Sequence, residues 1–79
     1  MRLSIYSLQA TIFEGDVDRV TLPTPQGEIT VLKEHIPLIS LVSPGYIRYT
    51  HSGPQKMIRL SGGVLEVRPE SDVIILGEE

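Results

Sequence analysis

The 79 residues include seven Lys and Arg, ten Asp and Glu and no cysteine, giving a net charge of −3 with 41% hydrophobic residues. A chain this short buries only about 60% of its unfolded surface and pays on the order of 100 kcal/mol in ordering, so nearly all its apolar residues must serve the core of one domain. That leaves little sequence for a deep substrate cleft, excludes disulfides and thiolate zinc sites, and argues against nucleic-acid binding through charge, which needs clustered Lys and Arg.

In chain order, Leu3 and Ile5 alternate with Arg2 and Ser4, the period of a half-buried strand. Ser4, Tyr6, Ser7 and Gln9 interrupt any apolar run here, so neither a signal-peptide core nor a membrane span can be drawn, and the chain reads as cytosolic. Glu14, Asp16 and Asp18 follow at alternating positions and raise a calcium reading. The loop template fails, because Arg19 stands where it needs glycine and Pro25 where it needs a bidentate glutamate. A solvated turn and strand edge around Gly15 accounts for them.

Val20 and Leu22, then Ile29 and Val31, predict two more strands, joined by a Thr24-Pro25-Gln26-Gly27 turn. His35 to Val42 is open between a short strand and an irregular crossing, with Ile36-Pro37 turning residue 36 away from helix. Ser43-Pro44-Gly45 marks a hairpin or corner ahead of the strand containing Ile47 and Tyr49. His51-Ser52-Gly53-Pro54 separates that strand from Ile58 and Leu60. Gly62-Gly63, with strand-like sequence on both sides, signals a tight turn, a bulge or close backbone packing. Leu65 and Val67 alternate again, and Val73 to Leu76 is continuously apolar.

Glycine and proline leave only residues 1–14 and 28–36 uninterrupted for any length, so helices are squeezed out. The prediction is an all-β fold, a single domain over residues 1–79: a flattened antiparallel β-sandwich or barrel of about nine to ten short strands. Arg48, Arg59 and Arg68, each between apolar neighbours, belong on solvent faces.

The residues offer little chemistry. His35 and His51 are sixteen apart with no Cys or helical His pair to complete a zinc set, so no metal is expected. Ser61-Gly62-Gly63 lacks the flanking glycines and following helix of a nucleophile elbow or phosphate loop, so no catalytic serine or cofactor is assigned. Tyr6, Phe13, Tyr46 and Tyr49 are too dispersed for a base-stacking platform and belong to core or rim. Lys56 lies beside the turn at Gly53-Pro54-Gln55. Lys56-Met57 resembles the second half of the biotinyl motif, so a biotinyl- or lipoyl-like carrier domain modified at Lys56 is an alternative, as is a generic interaction module.

Two stretches carry a closer resemblance. Gly27-Glu28-Ile29-Thr30-Val31-Leu32, continuing to His35-Ile36-Pro37-Leu38, is followed by Pro44-Gly45 and then by Ser61-Gly62-Gly63-Val64-Leu65-Glu66-Val67. With Phe13-Glu14-Gly15 and Val20-Thr21-Leu22-Pro23 upstream, this order resembles the N-terminal β-sandwich domain of the F-type ATP synthase epsilon subunit. The likeness covers essentially all 79 residues. It departs at Lys33-Glu34, where the family commonly has Pro-Gly, at Thr30 for a common Gly, at Ser7-Leu8-Gln9-Ala10 for Thr-Pro-Glu-Gly, and at Val64 for an aromatic.

The resemblance implies a non-catalytic central-stalk subunit that links the gamma subunit to the membrane c-ring and couples proton flow to ATP synthesis. It implies a peripheral place on the cytoplasmic face of a bacterial plasma membrane, or its organellar equivalent, without insertion. Glu28 and His35 match the family's ring-facing motifs; Ser7 and Ser40 match its gamma-facing side. The family's helical C-terminal pair has no counterpart here, so neither its inhibition of rotation nor its nucleotide site is expected.

Overall fold

The computed structural model describes Met1–Glu79 and contains strands only. These are β1 (Arg2–Tyr6), β2 (Thr11–Asp16), β3 (Arg19–Thr24), β4 (Gly27–Leu32), β5 (Leu38–Val42), β6 (Gly45–Thr50), β7 (Lys56–Leu60), β8 (Gly63–Arg68) and β9 (Asp72–Gly77). A five-stranded sheet, ordered β2-β1-β9-β8-β5, packs on a four-stranded sheet, ordered β4-β3-β6-β7. The expected all-β sandwich is therefore observed. With no helix at all, there is none long and apolar enough to cross a membrane.

Period-two alternation puts one face of each strand into a single core. Leu3 and Ile5 of β1, Leu65 and Val67 of β8, and Val73 and Ile75 of β9 line the five-stranded side. Val20, Leu22, Val31, Ile47, Tyr49 and Leu60 line the other. Phe13 packs against Tyr49 where the two sheets meet, with ring centroids 4.5 Å apart and planes inclined by 38°.

All pairings are antiparallel except β1 with β9, which run parallel and bring the first strand against the last. Gly15 lies inside β2, opposite Leu3, on the edge of the five-stranded sheet, so the expected strand edge is present and the turn follows it at Val17-Asp18. Between Ile5/Phe13 and Tyr6/Thr11 the register slips, which leaves Ile12 as an extra residue on β2. Residues 38–42, open in the sequence, form β5 and pair with β8.

Three connections set the ends of the sandwich. Pro25 and Gln26 close the β3–β4 hairpin, where Gln26 N–H donates to Thr24 Oγ1 at 3.2 Å and that hydroxyl donates to the Gly27 carbonyl at 2.7 Å. Ser43-Pro44 is a corner that carries the chain from β5 in one sheet to β6 in the other. Ser61-Gly62 carries it back to β8, and here the backbones come close: a Cβ on Gly63 would sit 2.1 Å from the Leu76 carbonyl oxygen. Close packing is thus the reason for the second glycine of the pair.

Candidate functional site

β4 and the turn that follows it hold Glu28 and His35, two of the matched positions. Glu28 is the second residue of β4, opposite Pro23 and next to the β3–β4 turn. Its exposed carboxylate forms an ion pair with Arg48 of β6. The pair spans β3, where Pro23 leaves room on the outer face of the four-stranded sheet between Glu28 and Tyr46. A shallow depression formed by Pro23, Glu28, Pro44, Gly45, Tyr46, Arg48 and Met57 surrounds it.

His35 follows the other end of β4. Its backbone N–H donates to the Leu32 carbonyl at 3.0 Å, closing the turn, and its Nδ1 donates to the Ile36 carbonyl at 2.7 Å. The preceding Glu34 has φ 68°, the left-handed conformation that favours glycine, and its N–H is held by Ser71 Oγ at 3.1 Å. Glu34 is thus a side-chain-bearing residue in a conformation that suits glycine better.

The structure therefore separates Glu28 from His35. Glu28 is near the start of a six-residue strand of roughly 17–20 Å and His35 lies just past its end, which puts them at opposite ends of the sandwich. They do not form one loop cluster.

Ser7 opens the β1–β2 turn on the same end as Glu28. Its hydroxyl accepts from Ala10 N–H at 3.1 Å and from Gln9 N–H at 3.3 Å, so its first task is to fold the turn. Ser40 sits mid-strand in β5 opposite Leu65, with its hydroxyl donating to the Leu41 carbonyl at 3.0 Å. Its neighbours Ile39 and Leu41, 75% and 64% exposed, face outward and continue into Val64 and Leu76 on the same surface. The sequence reading missed this apolar outer face. Its signal is the Leu38-Ile39-Ser40-Leu41-Val42 stretch, in which Ile39 and Leu41 are apolar on the face opposite to Leu38 and Val42.

The remaining candidates do not converge. Glu14 and Asp16 lie on β2, Glu14 accepting from Tyr6 Oη at 2.8 Å, whereas Asp18 lies beyond the strand and accepts from Ser52 N–H at 2.9 Å. Lys56 is the first residue of β7, paired with Tyr49, at the foot of the 51–55 hairpin rather than its tip. A carrier lysine belongs on the tip, so the hairpin does not present Lys56 in that way. His51 is an exposed hairpin residue.

Comparison with known proteins agrees with this architecture. Relatives named ATP synthase epsilon chain include one from Neisseria meningitidis, 38% identical over 77 residues, covering 95% of this chain and 55% of its own. Another, from Alkalihalophilus pseudofirmus, is 35% identical, covering 99% of this chain and 58% of its own. The chain thus spans a little over half the length of these relatives. Among solved structures, a chain in the Euglena gracilis mitochondrial ATP synthase (OSCP/F1/c-ring) is 25% identical with a TM-score of 0.91, over 98% of this chain and 49% of that one. A chain in the Tetrahymena thermophila mitochondrial ATP synthase central stalk/c-ring is 13% identical with a TM-score of 0.85 over 99% of this chain and 63% of that one, and shares the fold. Residues 1–79 match the beta-sandwich domain of the ATP synthase Delta/Epsilon chain along their whole length, and the chain belongs to that family.

Proposed function

We propose that this chain is a non-catalytic rotor component of an ATP synthase, standing between a gamma subunit and a c-ring and coupling ion flow to ATP synthesis mechanically. The observation that carries this reading is the family match over residues 1–79, which takes in all nine strands of the sandwich. The fold suits the role: two sheets on one apolar core resist shear, and rigid strands hold two contact surfaces at a fixed separation. The proposed place is peripheral, on the side of the membrane that bears the catalytic subunits.

Because Glu28 and His35 lie at opposite ends of β4, a ring can meet both only along the exposed flank of that edge strand. The flank is therefore the proposed ring-facing surface, with the Glu28–Arg48 pair at one end and the His35 imidazole at the other. The proposed gamma-facing surface is the outer face of the five-stranded sheet beside Ser40, bounded by the Ser7 turn. Its exposed Ile39, Leu41, Val64 and Leu76 supply the apolar area that a lasting subunit contact requires, and the polar β4 flank supplies register.

The test is ATP-driven proton pumping by the reconstituted complex carrying Glu28→Ala and His35→Ala, singly and together. Reduced pumping with ATP hydrolysis retained is expected, larger for the pair. Pumping unchanged in all three variants would remove the ring-facing assignment.

A further inference from the structure

The outer face of the four-stranded sheet is absorbed by neither proposed contact in full, and its charge is lopsided. The strands of this sheet carry Arg19, Arg48, Lys56 and Arg59 against Glu28 alone. Those of the other sheet carry Glu14, Asp16, Glu66 and Asp72 against Arg2 and Arg68. A chain of net charge −3 has thus collected positive charge on one sheet.

The register arranges that charge. Arg19 pairs with Thr50, Thr50 stands two residues from Arg48 on the same face of β6, and Arg48 pairs with Met57, two residues from Arg59 on β7. Because Val20, Ile47, Tyr49 and Leu60 point into the core, Arg19, Arg48 and Arg59 point outward and run diagonally across β3, β6 and β7. Diagonal neighbours on a sheet face are about 7–8 Å apart. Arg19 and Arg59 take part in no ion pair; Arg59 instead lies over the Tyr46 ring, 5.8 Å from its centroid. Tyr46 and Met57 beside them are 52% and 56% exposed. Arginine, tyrosine and methionine exposed together are the composition of a protein interface core, unlike that of a merely solvated face.

We infer that the Arg19–Arg48–Arg59 diagonal, with Tyr46 and Met57, is a docking surface for an extended acidic segment of a partner protein. Alternate side chains of an extended strand recur about every 6.7 Å, close to the arginine spacing, so carboxylates at every second position can meet successive guanidinium groups. Tyr46 and Met57 then cover the apolar parts of that segment. This surface shares Arg48 with the Glu28–Arg48 pair of the β4 flank and is otherwise separate from that flank and from the β5 face, and the inference does not rest on those contacts.

The test is an NMR titration of the 79-residue chain with a synthetic peptide of alternating Asp and Ser. Shift changes are expected at Arg19, Tyr46, Arg48, Met57 and Arg59, weakening as salt rises and absent for the same peptide with Asn in place of Asp. Arg19→Gln with Arg59→Gln weakens binding about tenfold, two exposed charge contacts being lost, while Arg19→Lys with Arg59→Lys keeps most of the affinity. Both positions are exposed, so each double variant keeps the parent's melting transition. Shifts centred on another face, affinity unchanged by Arg19→Gln/Arg59→Gln, or tighter binding of an oligonucleotide or anionic vesicle at this same face would each overturn the inference.

Discussion

Gly63→Ala is the sharpest perturbation this fold offers. The new methyl would lie 2.1 Å from the Leu76 carbonyl oxygen and 2.9 Å from Gly77 Cα, whereas real Cβ contacts stay beyond 3.0 Å. Both neighbours are backbone, so no rotamer change relieves the clash, and β8 must part from β9 by about 1 Å at the Gly63–Gly77 rung. Overpacking of this kind costs about 1–3 kcal/mol, here at the upper end; restricting the unfolded chain returns about 0.4–1 kcal/mol. A net loss of about 2–3 kcal/mol is large against the roughly 4–12 kcal/mol expected for a chain of this length, and corresponds to a fall in Tm of roughly 10–20 °C. Thermal and urea unfolding followed by circular dichroism measure it, with Gly53→Ala as the control. Gly53 meets nothing nearer than the His51 carbonyl at 3.7 Å, so its variant should melt within a few degrees of the parent. A Gly63→Ala chain melting within about 4 °C of the parent would refute the reasoning, since that is under about 1 kcal/mol.

Glu34→Gly should raise stability by about 0.5–1 kcal/mol, because the left-handed φ of 68° costs a side-chain-bearing residue about 1–2 kcal/mol, partly offset by the entropy of glycine; chemical denaturation measures the gain. A double-mutant cycle on Glu28→Ala and Arg48→Ala should give a coupling of about 0.2–1 kcal/mol that shrinks with added salt, as expected for a partly exposed pair. Leu65→Ala, at a fully buried position in β8, should cost about 2–5 kcal/mol in urea unfolding, with the larger values if the cavity stays open.

Much of the fold was legible because most strands bury one face, and residues such as Val20-Thr21-Leu22 state that alternation plainly. β5 was not, because Ile39 and Leu41 are apolar yet point outward, which erases the period. The parallel β1–β9 pairing joins residues about seventy apart in sequence, and no local pattern encodes it. The carboxylates around Gly15 read as a turn and strand edge; Glu14 and Asp16 lie on the edge strand β2, and the turn begins only after Asp16. At the candidate site, the motifs singled out Glu28 and His35 but did not show how far apart they stand. Seven residues is short in sequence, yet a fully extended β4 places them at opposite ends. Arg48 as the partner of Glu28 also lay beyond local patterning, since the pair forms across an intervening strand.

The rotor placement is tested most directly by site-specific crosslinking, for which a chain without cysteine is well suited. Single Glu28→Cys, Leu41→Cys and Gly53→Cys variants, assembled with the remaining subunits, are oxidised against cysteines introduced into the c-ring loops and the gamma subunit. Glu28→Cys should crosslink to the ring, Leu41→Cys to gamma, and Gly53→Cys to neither. Crosslinks from Gly53→Cys as strong as from the other two, or none from Glu28→Cys and Leu41→Cys in an assembled complex, would contradict the proposed place between gamma and the ring.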